Sequence, residues 1–235
     1  MTLLRHYKAV LIDWDNTLGD FHGSAMLAMK QIFSDMQLER YFDSFEQWYD
    51  LYMPNNVQLW ELYGEGKISR EYLSQERFDY PFRMRGFNDM GKLALEIENQ
   101  FEELATQHTQ LMPDAMHLLQ YLADKYPVTV LTNGFPEVQY TKFRNTGVMQ
   151  YFTHIVISEE VGVAKPDPGI FEIALQRNNV MPEDAIMIGD HYNVDIVGAQ
   201  RAGIDQIYFC PDAEECNALS ATYHVHNLIE ITNIL

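Results

Sequence analysis

Basic side chains are scarce in this chain. Its 235 residues include 16 lysines and arginines against 34 aspartates and glutamates, a formal charge of −18. Broad surfaces for nucleic acid or anionic lipid need clustered cations to neutralise phosphate, so neither a nucleic-acid polymer nor a membrane is expected as a partner. Cysteine is nearly missing too. Cys210 and Cys216 make no disulfide framework; they read as packing thiols in a reduced, cytoplasmic setting. No apolar run approaches the roughly 20 residues that span a bilayer. The opening Met1-Thr-Leu-Leu-Arg-His-Tyr-Lys has neither the apolar stretch nor the cleavage site of a secretory leader. Apolar and aromatic residues, by contrast, are plentiful at 47% and 13%. That composition supports a sizeable core and excludes general disorder.

Short β-branched runs ending in polar residues recur at Ala9–Asp13, Val128–Thr132, Ile155–Ser158, Ala185–Asp190 and Gln206–Cys210. Near-continuous apolar runs of this length suit strands covered on both faces, as in a parallel sheet. Helix-length amphipathic segments lie between them, including Pro113–Asp124, Glu137–Thr146 and Pro168–Asn178. Asp167 is a suitable N-cap for the last, with Pro168 in the first helical position. Alternation of this kind predicts an α/β fold with a doubly wound parallel sheet. One gap breaks the rhythm. More than 100 residues separate Asp13 from Val128, far beyond one crossover helix. Within it, Ser24–Glu39, Ser44–Trp60, Ser69–Phe78 and Asn88–His108 have helical periodicity. The expected organisation is a core of residues 1–19 and 109–235, with a helical insert over residues 20–108. Ligands of open α/β sheets bind at the C-terminal strand edge, where such an insert would form a cap.

Four polar clusters fall at strand ends or in nearby loops. Asp13-Trp14-Asp15-Asn16-Thr17 comes directly after the first strand, and its two acids would repel unless a cation or proton lay between them. Thr132-Asn133-Gly134 ends the second strand with a hydroxyl, an amide and a flexible backbone suited to an anion. Lys165 precedes Pro166, which biases it towards an extended loop. Gly189-Asp190 ends the fourth strand, and Asp195 lies five residues later. Each cluster alone also reads as an ordinary turn, cap or solvated charge. Their joint order and placement do not.

These four elements resemble the four motifs of the haloacid dehalogenase (HAD) superfamily, and the resemblance spans nearly the whole chain. Asp13-x-Asp15-x-Thr17, Thr132-Asn133, Lys165 and Gly189-Asp190-x4-Asp195 match in turn, with Trp14 where phenylalanine is commoner. The resemblance implies a HAD-like Rossmannoid core, with the first strand between the second and fourth, and an all-helical C1 cap. Thr132-Asn-Gly-Phe135, Val156–Pro166 and the stretch from Asn55 to Phe78 are similar to the bacterial pyrimidine 5′-nucleotidase branch. The second stretch also resembles sugar-phosphate phosphatases. The activity implied is that of a magnesium-dependent phosphomonoesterase acting through an aspartyl-phosphate, with nucleoside monophosphates as the expected small phosphorylated substrates. A sugar-phosphate phosphatase or phosphomutase is the alternative, and a non-catalytic binding module a distant one. A monomer or homodimer is expected.

The resemblance implies roles residue by residue. Asp13 would attack phosphorus, and Asp15 would serve as general acid and then base. Lys165, Thr132 and Asn133 would hold phosphoryl oxygens, and Thr17 would orient the loop carrying Asp15. Asp13 and Asp190 would ligate Mg²⁺ with the backbone carbonyl of Asp15, and Asp195 would support the metal's water shell. Dehalogenases lack the second acid, so carbon–halogen cleavage is not expected. A phosphonate hydrolase would need a buried cap lysine, for which Lys30, Lys67 and Lys92 are available. In the insert, Phe45, Trp48, Tyr49 and Tyr52 have the spacing of a buried helix face. Trp60 lies off that stripe beside an expected Asn55-Asn56 turn, and is the candidate to stack on a nucleobase. His224-x-His226 has no third ligand near it and is given no metal role.

Overall fold

A computed structural model describes residues 6–211 and 220–235. The backbone divides into two compact units, Met1–Phe21 with Thr109–Leu235, and His22–His108.

The second unit is helical, comprising most of α1 (Phe21–Asp35) with α2 (Phe45–Gly64), α3 (Arg70–Met84) and α4 (Gly91–Gln107). Trp48 and Tyr52 are buried while Phe45 and Tyr49 are half-buried, so the aromatic stripe serves packing. Tyr52 stacks on Phe78 of α3 with ring centroids 5.0 Å apart. The Asn55-Asn56 turn does not form. Instead α2 runs through Pro54 to Gly64, carried past the proline by the buried Trp48, Tyr52 and Leu59. Lys30, Lys67 and Lys92 are all exposed.

In the first unit, six strands, β1 (Ala9–Ile12), β2 (Val128–Thr132), β3 (His154–Ile157), β4 (Ala185–Gly189), β5 (Asp205–Phe209) and β6 (Tyr223–Val225), form one sheet. The helices of this unit are α5 (Ala115–Ala123), α6 (Pro136–Thr146), α7 (Ser158–Val161), α8 (Pro168–Asn178) and α9 (Val197–Arg201). The strand order is β3-β2-β1-β4-β5-β6, with every neighbouring pair parallel. Side-chain alternation divides each strand between two cores. Val10, Ile12, Val130 and Ile188 pack with Leu118, Leu119 and Leu122 of α5. Leu11, Leu131, Val156 and Met187 pack with Ile170, Phe171 and Ala174 of α8. Both faces are therefore dry, which explains why these strands read as unbroken apolar runs. β1 lies between β2 and β4, and the chain builds outwards to β3 on one side before crossing to β4 on the other. The C-terminal ends of these strands therefore flank a switch point where ligands of such sheets bind.

The expected cap of α8 is present, with Asp167 accepting from the Gly169 N–H and Pro168 in the first turn. β6 was not anticipated. It is a three-residue edge strand, too short to show alternation, and carries an exposed His224. His226 bonds through Nδ1 to the Cys210 carbonyl. Cys210 is buried beside Ile196 and Tyr208, but it is not a free thiol, which corrects its reading as one. Cys216 lies outside the described residues. No helix among the described residues is long and apolar enough to cross a membrane.

Candidate active site

The loop after β1 sets the geometry. Asp13 donates its N–H to Ile188 of β4 at 2.9 Å, as the last rung beyond the ladder. The next residue, Trp14, is fully buried and meets the Phe143 ring edge-on at a centroid distance of 4.8 Å. Its carbonyl accepts the Leu18 and Gly19 N–H groups at 2.9 and 2.8 Å, closing a tight turn. Asn16 takes the left-handed conformation within this turn (φ 63°), which asparagine tolerates better than most residues. Thr17, fully buried, donates its hydroxyl to Asp190 Oδ1 at 2.8 Å and so ties this loop to the end of β4.

Asp13 lies in a cluster with Asp190 and Asp195, each offering an oxygen within 4.8 Å of the others. Asp195 sits on a single π-helical turn, Tyr192–Ile196, and its Oδ2 accepts the His191 N–H at 3.0 Å. Such turns recur at functional sites. Lys165 reaches both Asp13 Oδ1 at 2.5 Å and Asp195 Oδ1 at 2.7 Å. Asn133 uses both ends of its amide on the Lys165 backbone, donating to its carbonyl at 2.8 Å and accepting its N–H at 2.9 Å. Its side chain therefore aims the lysine.

Charge does not balance here. One ammonium faces three carboxylates, and Asp13, Asp195 and Lys165 are almost wholly buried. Burial, together with the fields of Asp195, Asp190 and Asp15, raises the Asp13 carboxyl well above the usual range despite Lys165. Burial and Asp195 push Asp190 up to about 7. Lys165 is raised although burial opposes its charge, because Asp13 and Asp195 outweigh that cost. Three convergent hard oxygen donors with too little positive charge fit a divalent cation.

Asp15 is engaged elsewhere. Its Oδ1 is 2.6 Å from Lys142 Nζ, and its Oδ2 accepts from Gln139 Nε2 at 2.7 Å. Thr132 Oγ1 also accepts from Gln139 Nε2, at 2.6 Å, and from the Gly134 N–H at 3.2 Å. With both lone pairs of Oγ1 engaged, the Thr132 hydroxyl can act on any further group only as a donor. Asp13, Asp15, Thr17, Thr132, Asn133, Lys165, Asp190 and Asp195 all belong to the sheet unit; Trp60, on α2, belongs to the helical one and meets Tyr63 edge-on at 5.7 Å.

Gln139 and Lys142 had escaped notice in the sequence. They are three residues apart on α6, beside the core residue Phe143, and both are buried. A glutamine and a lysine on the buried stripe of a short amphipathic helix were the available signal.

A family model for haloacid dehalogenase-like hydrolases matches residues 7–203. The crystal structure of the magnesium-bound HAD-hydrolase YfnB from Bacillus subtilis superposes with a TM-score of 0.87 at 28% identity, covering 98% of this chain and 99% of that one. The pyrimidine 5′-nucleotidase PynA of Streptococcus pneumoniae is 30% identical over 97% of this chain and 95% of its own. A glyceraldehyde 3-phosphate phosphatase from Methanopyrus kandleri is 31% identical, with 84% and 81% covered.

Proposed function

Because this chain belongs to the haloacid dehalogenase-like hydrolases, we propose that its phosphoric monoester hydrolysis runs through a phosphorylated Asp13 and acts on nucleoside 5′-monophosphates, pyrimidine ones preferred. The observation that carries the chemistry is the separation of two acids in one turn. Asp13 lies in the cation-deficient cluster against Lys165, whereas Asp15 is held apart by Lys142 and Gln139. Two carboxylates in such different environments suit different tasks.

In this reading an Asp13 oxygen attacks phosphorus in line while the ester P–O bond breaks. Asp15 gives its proton to the departing alcohol oxygen. Asp15 then takes a proton from water as that water attacks the aspartyl-phosphate, which releases inorganic phosphate and regenerates Asp13. Lys165 and the Thr132 hydroxyl hold the phosphoryl oxygens as charge builds there. Asn133 and Thr17 support them, the first by aiming Lys165 and the second by joining the loops of Asp13 and Asp190. Magnesium, bound by Asp13 and Asp190 with the Asp15 carbonyl and with Asp195 in support, would neutralise the dianionic substrate.

The nucleotide reading draws on the likeness to PynA over almost the full length of both chains. Trp60 is assigned to stack on the base. The helical unit, residues 22–108, is read as a C1 cap, and the substrate as a small cytoplasmic metabolite handled by a monomer or homodimer. The test is phosphate release with Mg²⁺ across nucleoside monophosphates, sugar phosphates and p-nitrophenyl phosphate. Higher kcat/KM for pyrimidine nucleotides is expected, and preference for a triose or hexose phosphate would overturn the substrate assignment. Asp13→Asn should abolish both turnover and acid-stable, hydroxylamine-sensitive phosphate labelling of the protein; retained turnover would remove Asp13 as nucleophile.

A further inference from the structure

Two buried side chains from one face of α6 grip Asp15, and we propose that Gln139 and Lys142 are positioning residues that hold this acid on the leaving oxygen. The inference rests on the reading of Asp15 as acid and base. Each carboxylate oxygen has its own donor, Lys142 Nζ on Oδ1 and Gln139 Nε2 on Oδ2. One donor would leave the carboxyl free to turn about its Cβ–Cγ bond, whereas two donors on two oxygens fix its plane. Oδ2 keeps another lone pair, so it can lose or gain the transferred proton without releasing Gln139. The same amide nitrogen donates its second hydrogen to Thr132 Oγ1. A single glutamine thereby sets the spacing between the acid and a hydroxyl assigned to the phosphoryl group.

Stability alone does not explain these residues. Lys142 is 4% exposed and Gln139 is fully buried. Gln139 Oε1 has no hydrogen-bond partner among the described residues. Turning the amide over would set that oxygen against the Asp15 carboxylate, so the nitrogen must face it. A buried ammonium and an orphaned carbonyl both oppose folding. Asp15 does not need them to stay solvated, since its side chain keeps 27% exposure. The Lys142 head also lies 4.5 Å from the Phe21 ring centre, a cation–π contact of which methionine would keep the packing but not the charge attraction. Even the neighbouring backbone makes room for the amide, because a Cβ at Gly134 would come within 2.4 Å of Gln139 Nε2.

The experiment measures kcat/KM and melting temperature for Gln139→Met and Lys142→Met, using a nucleoside monophosphate and p-nitrophenyl phosphate. This ratio reports steps up to ester cleavage, so it isolates the acid step from the later base step. We expect kcat/KM to fall about tenfold to a hundredfold for the nucleotide and far less for the nitrophenyl ester, whose leaving group needs little protonation. KM should stay within about threefold, and melting temperature should hold or rise. Equal losses on both esters, unchanged rates, or a melting temperature that falls along with activity would overturn the proposal. Asp15→Asn separates the two levels. If it shows no leaving-group dependence, the acid–base reading fails and takes this proposal with it; if it does and the methionine variants do not, only the positioning role fails.

Discussion

A Cβ on Gly189 would lie 2.5 Å from the Asp195 carboxylate oxygen, closer than any side chain permits. The glycine at the end of β4 is thus a condition for Asp195 to fold back over the strand. Gly189→Ala should displace Asp195, costing about 1–3 kcal/mol in stability through overpacking. Half-saturating Mg²⁺ should rise about tenfold or more, as read from activity titrated with the metal. Thr132 offers a contrasting case. Thr132→Val removes the hydroxyl and leaves the Gly134 and Gln139 donors without their acceptor. It should lower kcat/KM about a hundredfold or more, by the same factor for good and poor leaving groups, because the phosphoryl oxygens are common to all. Thr132→Ser, which keeps the hydroxyl, should restore most of the rate. At this level the acids, Lys165 and Thr132 were legible as residue types at strand ends and in the loops and turns that follow them. Gln139 and Lys142 were not, because a helix face becomes a site wall only once β1 and β2 are neighbours.

Between α3 and α4, Arg77 and Glu98 form a bidentate pair with both contacts at 2.7 Å, and neither side chain is more than 4% exposed. Burial opposes the Arg77 charge, but Glu98 and Tyr52 outweigh it and hold the guanidinium above its ordinary value. Its plane also lies over the Phe78 and Phe101 rings at 5.3 and 5.1 Å. Arg77→Met alone would strand a buried carboxylate and should destabilise the helical unit by about 3–5 kcal/mol. Adding Glu98→Leu should recover most of that loss, as tracked by thermal and urea melts. The helices were readable from their periodicity, and their ends much less so. Both α2 and α3 continue past an internal proline, Pro54 and Pro81, because packing of Trp48, Tyr52, Phe78 and Phe82 outweighs the broken hydrogen bond. The paired charge of Arg77 was likewise hidden, since nothing in the sequence brings positions 77 and 98 together.

The molecule as a whole is strongly acidic, yet its substrate is assigned as a small anion. Four of its 34 acids, Asp13, Asp15, Asp190 and Asp195, converge near the switch point, where Lys165 and a bound cation would reverse the local sign. Chelation should therefore abolish phosphate release, with Mg²⁺ restoring it. Mg²⁺ should also raise the melting temperature, by about 2.7 kcal/mol of added stability at a hundred times its Kd. Calorimetry with and without chelator checks this; a melting temperature indifferent to Mg²⁺ would count against a cation at these carboxylates.

The parallel α/β class, five of the six strands and the acids ending β1 and β4 are determined by the sequence by itself, because local alternation, apolar runs and turn chemistry are encoded within a few residues. Which side chain each acid meets is a matter of long-range pairing. Asp13 and Lys165 are 152 residues apart, and Asp15 and Lys142 are 127 apart. Only the strand order β2-β1-β4 brings them within hydrogen-bonding distance, so the division between a cation-seeking Asp13 and a clamped Asp15 was decided by the tertiary structure.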